Sequence, residues 1–171
     1  MTLRIIREVR DMNRKLGVLI GLVAVAAIAV FVVQEQSGAL PIDVNVTESA
    51  VAIHGYDPVA YFTDGQPTPG SSSFTHTVDG ATFQFASAEH LEMFQNDPER
   101  YTPAYGGFCA YGVTQQQKFD VDPAAWEIVN DTLYLQLDPG TREVWLEDRD
   151  QNIDSANAIW PDIREIPAEE L

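Results

Sequence analysis

The chain has 171 residues, a formal net charge of −16 and a single cysteine, Cys109. This length fits one domain with one modest core. A chain this acidic repels the phosphates of nucleic acids and of anionic lipids, so nucleic acid is excluded as an expected partner. One cysteine cannot form an internal disulfide, so the core must supply the stability.

The charge is divided unequally along the chain. Residues 1–15 carry five basic side chains against two acidic ones, whereas from residue 34 onward five basic residues oppose 24 acidic ones. Between these parts, residues 16–33 read LGVLIGLVAVAAIAVFVV, without a charge or a strongly polar group. As a helix this run would rise about 27 Å, close to the thickness of the hydrocarbon core of a bilayer. It therefore predicts a transmembrane anchor.

The basic residues before the anchor predict its orientation. By the positive-inside rule, residues 1–15 form a cytoplasmic stub and everything after the anchor is exported. We expect a single-pass protein of the bacterial inner (plasma) membrane, with its domain in the periplasm or outside the cell. The alternative is a cleaved signal peptide, for which Ser37-Gly38-Ala39 offers suitable small residues. The apolar run is longer than a usual signal core, which favours retention.

The first half of the exported part contains one strong hairpin signal. Residues 34–50 are polar with scattered apolar positions and are expected to be a tether. The domain is expected at 51–163, and its apolar run at 59–62 predicts a short strand. Asp79-Gly80 lies between two alternating, β-prone runs and predicts a hairpin, because both turn positions need a positive φ.

The second half predicts helices around a second hairpin. Ser87 is a suitable cap for a helix over 88–96. Residues 105–112 are expected to form an aromatic, glycine-rich loop, and 164–171 a C-terminal tail. The remaining predicted elements are strands at 126–129 and 133–137 around Asn130-Asp131, followed by helices at 141–150 and 154–160. The fold class is α+β, with a small antiparallel, hairpin-based sheet and packed helices.

Four motifs occur in a recognisable order: IHGYDPVAYF at 53–62, FAS at 85–87, DPERY at 97–101 and YGGFCAYG at 105–112. In this order they resemble the YHS-domain family, most closely its longer exported branch. The similarity extends over residues 51–163, and it implies a YHS-like fold on the N-terminal transmembrane helix.

The resemblance also implies that a metal site has been lost. The short branch of the family resembles metal-binding domains of heavy-metal pumps, which use three thiolates for copper or zinc. Those three positions correspond here to Ala60, Ala86 and His90. Because a methyl group cannot ligate a metal, we expect the usual site to be absent.

A different metal site remains an alternative. His54, Asp57 and Cys109 offer an imidazole, a carboxylate and a thiol, a set that suits copper first and zinc second. Each also has a structural interpretation: His54 orients a loop by hydrogen bonding, Asp57 forms a turn, and Cys109 is a small buried apolar residue. His90 is expected to be exposed on its helix.

The expected function is a non-enzymatic interaction or accessory module of a membrane-associated complex. The residues expected at the interface are aromatic side chains of the kind that interfaces favour, and we expect them to be exposed: Tyr56, Tyr105, Phe108 and Tyr111. A metal-handling domain and a small-ligand or redox enzyme are the alternatives. No nucleophile elbow, phosphate-binding loop, dinucleotide fingerprint or HExxH motif occurs, so no catalytic residue is assigned.

Overall fold

The computed structural model describes residues 40–171, so the expected stub at 1–15 and anchor at 16–33 lie outside the described part. The described part is α+β, with two separate two-stranded antiparallel sheets and several helices. This confirms the predicted class. Within residues 40–171, no helix is both long enough and apolar enough to cross a bilayer.

The elements alternate between hairpins and helices along the chain. The strands are β1 (Ser71–Val78), β2 (Ala81–Phe85), β3 (Asp122–Val129) and β4 (Thr132–Gln136). The helices are α1 (Ala60–Thr63), α2 (Ala88–Asn96), α3 (Pro98–Tyr101), α4 (Ala110–Thr114), α5 (Pro139–Glu147) and α6 (Arg149–Ile163). Short 3-10 turns lie at Ile53–Gly55, Ala104–Gly107 and Ala168–Glu170.

The first hairpin forms where its turn signal predicted it. Asp79 and Gly80 connect β1 to β2 with φ values of +48° and +84°. Because side chains alternate along a strand, Phe83 and Phe85 share one face of β2 and are both buried. Their ring centres lie 4.9 and 5.1 Å from that of Phe94 on α2. The hairpin and α2 therefore share the first hydrophobic core.

The second hairpin separates two hydrophobic cores. β3 and β4 pair around Asn130 and Asp131, whose φ values are +50° and +62°. On β4, Leu133 and Leu135 belong to the first core, whereas Tyr134 between them belongs to the second, beneath α5 and α6. Because side chains alternate between the two faces of a strand, β4 contributes residues to both cores.

The predicted strand at 59–62 is wrong, because this run forms helix α1 instead. The carboxylate of Asp57 accepts hydrogen bonds from the amides of Val59 and Ala60, which satisfies donors of the first turn. A short apolar run cannot distinguish a buried strand from a buried helical turn by its pattern alone.

Helices α2, α5 and α6 lie close to their predicted positions, whereas α4 begins inside the expected loop at 105–112. The hydroxyl of Ser87 caps α2 by accepting from the amide of His90 at 3.1 Å, as predicted. α5 and α6 each start earlier than expected. In α5 the reason is Asp138, whose carboxylate accepts from the amide of Thr141 at 2.7 Å and so caps the helix ahead of Pro139.

Residues 40–50 are packed on the domain, in contrast to the expected tether. Val44 and Val46 lie against the first core. The amide of Asn45 donates to the carbonyl oxygen of Gly106 at 2.9 Å. Residues 40–46 are called the N-terminal strap below. The compact unit therefore begins at residue 40 and spans residues 40–171, because Val44 and Val46 pack on the first core.

Lys118 holds both ends of this unit. Its buried ammonium donates to the carbonyl oxygens of Ile42, Arg164 and Ile166 at 2.9, 2.7 and 2.6 Å. It also lies 5.4 and 5.5 Å from the centres of two aromatic rings. Burial lowers the pKa of Lys118, and nearby carboxylates oppose this effect. We call these three hydrogen bonds of the ammonium the Lys118 clamp. They make the expected tail at 164–171 part of the domain.

We expect Gly106→Ala to displace the N-terminal strap. A Cβ at Gly106 would overlap the carbonyl oxygen of Asp43, and its φ of +61° already disfavours alanine. The free energy of unfolding should fall by about 2–4 kcal/mol, the sum of backbone strain and overpacking. Urea denaturation measures the loss, and hydrogen exchange at residues 43–46 locates it.

Gly65→Ala is the matched control, since Gly65 has a φ of +67° but no neighbour within 4 Å. It should show the strain alone, about 1 kcal/mol, with unchanged exchange in the N-terminal strap. Equal losses in the two variants would contradict the close contact at Gly106.

Candidate functional site

The three candidate metal ligands do not form a common site. His54, Asp57 and Cys109 each have a different set of hydrogen-bond partners. Within residues 40–171, no group of three or more His, Cys, Asp and Glu side chains is arranged to hold a metal ion. The residues present therefore do not fit the copper or zinc site expected from these three side chains.

Asp57 is a fully buried carboxylate, with 0% of its surface exposed. Its Oδ1 accepts from the amides of Val59 and Ala60 at 2.8 and 3.3 Å. Its Oδ2 accepts from the amide of Ala86 at 2.8 Å and lies 2.6 Å from Nδ1 of His90. Four bonds use the acceptor capacity of a carboxylate, so no lone pair is left for a metal ion.

Ala60, Ala86 and His90, the three positions that correspond to thiolates in the resemblance, are therefore brought together around Asp57. The carboxylate ties the start of α1 and the first turn of α2 to the residue that follows β2. This junction holds secondary-structure elements in place, and its polar atoms are bonded to one another.

His90 is not exposed as expected, since only 13% of its side chain is accessible. Its Nδ1 faces Asp57 and its Nε2 lies 3.2 Å from the hydroxyl of Thr63. In this order the three residues resemble a catalytic triad, in which Asp57 would orient the base, His90, and Thr63 would be the nucleophile. However, the single hydroxyl hydrogen of Thr63 is also within reach of the carbonyl oxygen of Val59 and the carboxylate of Asp64, at 3.2 and 3.1 Å.

His54 forms a second histidine–aspartate pair at the surface. Its Nε2 lies 2.8 Å from Oδ1 of Asp120, which also accepts from the amide side chain of Asn45 at 2.9 Å. Burial raises the pKa of the Asp120 carboxyl, but its hydrogen bonds outweigh burial and leave the pKa below its usual value. The pair links the turn at Ile53–Gly55 to the N-terminal strap, in agreement with the loop-orienting interpretation.

Cys109 is buried, in agreement with its interpretation as a small core residue. Its thiol donates to the side-chain carbonyl of Gln136 at 3.5 Å, and its sulfur accepts from the amide of Gly112 at 3.4 Å. Burial raises the pKa of the thiol, and backbone hydrogen bonds offset this only in part. Since the thiolate is the nucleophile and the metal ligand, this environment suits neither role.

The aromatic residues expected at an interface are not exposed. Tyr105 and Phe108 are buried, and Tyr56 and Tyr111 are half-buried. The rings of Tyr105 and Phe108 lie 5.8 and 6.3 Å from that of Trp160 on α6. The glycine-rich motif begins as the turn at Ala104–Gly107 and continues into α4, and Tyr105 lies within the second core.

The domain surface is negative because acidic side chains greatly outnumber basic ones, and the basic side chains are bonded within the domain. Residues 40–171 contain 23 acidic side chains and five basic ones. Besides the Lys118 clamp, each guanidinium lies on a carboxylate or a carbonyl of the domain: Arg100 on Asp131, Arg142 on the carbonyl of Trp126, Arg149 on Glu127 and Asp150, and Arg164 on Asp43 and Glu165. Among the described residues, no basic side chain is left without such a partner.

No family model, curated protein or solved structure matches this chain. The functional assignment therefore depends on this geometry.

Sequence reasoning missed Lys118 and Asp120. Lys118 had a signal, since it is the only lysine after residue 15. Asp120 had none, because both side chains that bind it lie more than 60 residues earlier in the chain.

Proposed function

We propose that this chain is a membrane-anchored, extracytoplasmic YHS-like domain that acts as a non-enzymatic interaction or accessory module of a membrane-associated complex. We further propose that it docks on a basic surface of its partner. The observation that carries the proposal is the excess of negative charge in residues 40–171. This part contains 23 acidic side chains, and each of its five basic side chains is already bonded to another residue of the domain. A partner with a positive face meets a complementary field, which speeds encounter and selects the partner.

The anchor is part of the same proposal. If residues 16–33 span the inner membrane, the six residues from 34 to 39 reach at most about 22 Å before the compact unit begins. The domain would then stay beside the bilayer on its periplasmic face. A partner in the same membrane would meet it at a raised effective concentration, which favours a complex even where the direct contact is weak.

The YHS assignment is supported by the positions of Ala60, Ala86 and His90. In relatives with thiolates at these places, the three must lie close enough to share one ion, and here they surround one carboxylate. Metal handling and small-ligand catalysis have weaker support, since Asp57 is saturated with hydrogen bonds and Cys109 is buried with a raised pKa.

Cross-linking in intact membranes tests the proposal. Membranes that carry the full chain, tagged at its native expression level, are cross-linked at about 0.05 M and at about 0.5 M salt, so that screening acts before the covalent bonds form, and are then purified in mild detergent. We expect one defined complex at low salt and its loss at high salt, because screening shortens the reach of surface charges.

A chain whose residues 1–33 are replaced by a cleavable export signal is the control, and it should lose most of the complex. Recovery of the chain alone at low salt, or a complex of equal yield at both salt concentrations, would refute the proposed function.

A further inference from the structure

The outer edge of β3 offers unpaired backbone groups. The carbonyl oxygen of Trp126 points away from β4, because it accepts from Nε of Arg142 at 2.8 Å. Backbone groups alternate in direction along an antiparallel strand, so the N–H and C=O of Ile128 point the same way. Neither group of Ile128 has a hydrogen-bond partner within residues 40–171. This edge can therefore accept another strand.

A cavity of about 470 Å³ runs beside this edge. Residues 124–128 of β3 line one side of it, and Pro139, Arg142 and Glu143 of α5 line the other. We call this cavity the edge groove. Its walls are about equally polar and apolar, and the one cation that lines it, Arg142, is already bonded to Trp126. The groove thus combines an open strand edge, apolar surface and acidic side chains.

Glu127 in the edge groove has an unsatisfied oxygen. Its side chain is 19% exposed, and Oε1 lies 3.5 Å from a nitrogen of Arg149. Its Oε2 is buried and has no hydrogen-bond partner in the part of the chain that the structure describes. An unpaired buried acceptor costs free energy, so a donor that reached this oxygen would stabilise the structure. A rotation about the last torsion of glutamate, which is broad, turns Oε2 toward the groove and moves Oε1 off its 3.5 Å contact with Arg149.

We propose that the edge groove binds an extended segment of a partner protein that carries an arginine. The segment pairs with the backbone of Ile128 as an added strand and places its guanidinium on Glu127. This inference rests on the proposed function and names the site and the chemistry of the partner.

Arginine fits this site for geometric and electrostatic reasons. Its planar guanidinium donates two parallel hydrogen bonds to a carboxylate, which would give Oε2 of Glu127 a donor. Its flexible stem covers the apolar wall of the edge groove. Pairing at Ile128 leaves the hydrogen bond between Arg142 and Trp126 intact. The guanidinium on Glu127 replaces only the 3.5 Å contact with Arg149, which keeps its 3.0 Å bond to Asp150.

A blocked peptide, acetyl-Thr-Val-Arg-Val-Thr-amide, is a suitable probe. The full chain is held in nanodiscs of phosphatidylcholine, whose neutral headgroups do not attract the peptide. Two altered peptides separate the two parts of the contact: citrulline in place of arginine removes the charge, and N-methylation of both valines removes strand pairing. Affinity is measured by calorimetry, and hydrogen exchange reports protection at residue 128.

We expect saturable binding that is at least about tenfold weaker for the citrulline peptide, as for loss of one charge-assisted hydrogen bond. Glu127→Gln should abolish this preference for arginine, and the N-methylated peptide should give no protection at Ile128. Glu147→Gln is the matched control, since it removes an equal charge from an exposed position of α5 outside the edge groove. Its affinity should equal that of the native chain.

Three results would overturn the inference. They are no saturable binding at millimolar peptide, equal affinity for the arginine and citrulline peptides, and equal losses of affinity in Glu127→Gln and Glu147→Gln. The two proposals fail separately. If Glu127→Gln loses the peptide but keeps the salt-sensitive membrane complex, the proposed function stands and the edge groove is not its docking site. If the peptide binds as expected while the chain forms no complex, the groove stands and the proposed function falls.

Discussion

Asp57→Ala is expected to lower the free energy of unfolding by about 3–5 kcal/mol, the loss found when one partner of a buried charged network is removed. The substitution leaves the amides of Val59, Ala60 and Ala86 without an acceptor. It also removes the partner of Nδ1 of His90. Three elements lose their common junction at once, so the effect should exceed that of a single lost hydrogen bond. Urea denaturation of the full chain measures it.

Asp57→Asn keeps the measurement possible if the alanine variant does not fold. The asparagine retains one acceptor oxygen but turns an NH2 group toward donors, so it should lie between the native chain and alanine. Asp64→Ala is the control at the other end of α1, where Asp64 is exposed. It should change stability by no more than about 0.5 kcal/mol. Similar losses for Asp57→Ala and Asp64→Ala would show that the junction does not stabilise the fold.

Lys118→Met is expected to cost about 2–4 kcal/mol, because three carbonyl oxygens lose a charged donor in a buried place. Methionine keeps an unbranched apolar stem, so the change removes the ammonium rather than the packing. The carbonyls of Ile42, Arg164 and Ile166 are left facing one another. Hydrogen exchange should rise at both the N-terminal strap and residues 164–171, while the two hairpins keep their protection.

Arg100→Met is the control for the loss of one positive charge. Arg100 is exposed, and its bond to Asp131 at 3.1 Å is a surface ion pair. Such pairs contribute about 0–1 kcal/mol, so this variant should be near the native stability. If Lys118→Met were equally mild, or if exchange rose at only one of the two ends, the clamp would not join them.

Elements with a local signal could be predicted from the sequence. Asp79-Gly80 and Asn130-Asp131 select hairpin turns through positive φ, and Ser87 caps α2, all from adjacent residues. The run at 59–62 was misassigned because the carboxylate that starts its helix belongs to Asp57, outside the run. The N-terminal strap was missed since its partner, Gly106, is distant along the chain.

The candidate site could not be predicted, because its contacts join distant residues. His54 meets Asp120 66 positions later, and the ammonium of Lys118 reaches Ile42 across 76 positions. With 23 acidic residues after position 40, nothing in the sequence selects the aspartate that pairs with a given histidine. The sequence shows the chemistry of each residue, but its partners depend on the tertiary fold.

The Lys118 clamp has a mechanical consequence if the chain is held at its N-terminal side, as the proposed anchor requires. A pull on the chain ahead of Leu40 would reach the hydrogen bond between the ammonium and Ile42 before it reached Val44 and Val46 on the first core. The other two hydrogen bonds of the ammonium would transmit part of that load to Arg164 and Ile166. The C-terminal residues would thus carry part of a force applied at the opposite end of the domain.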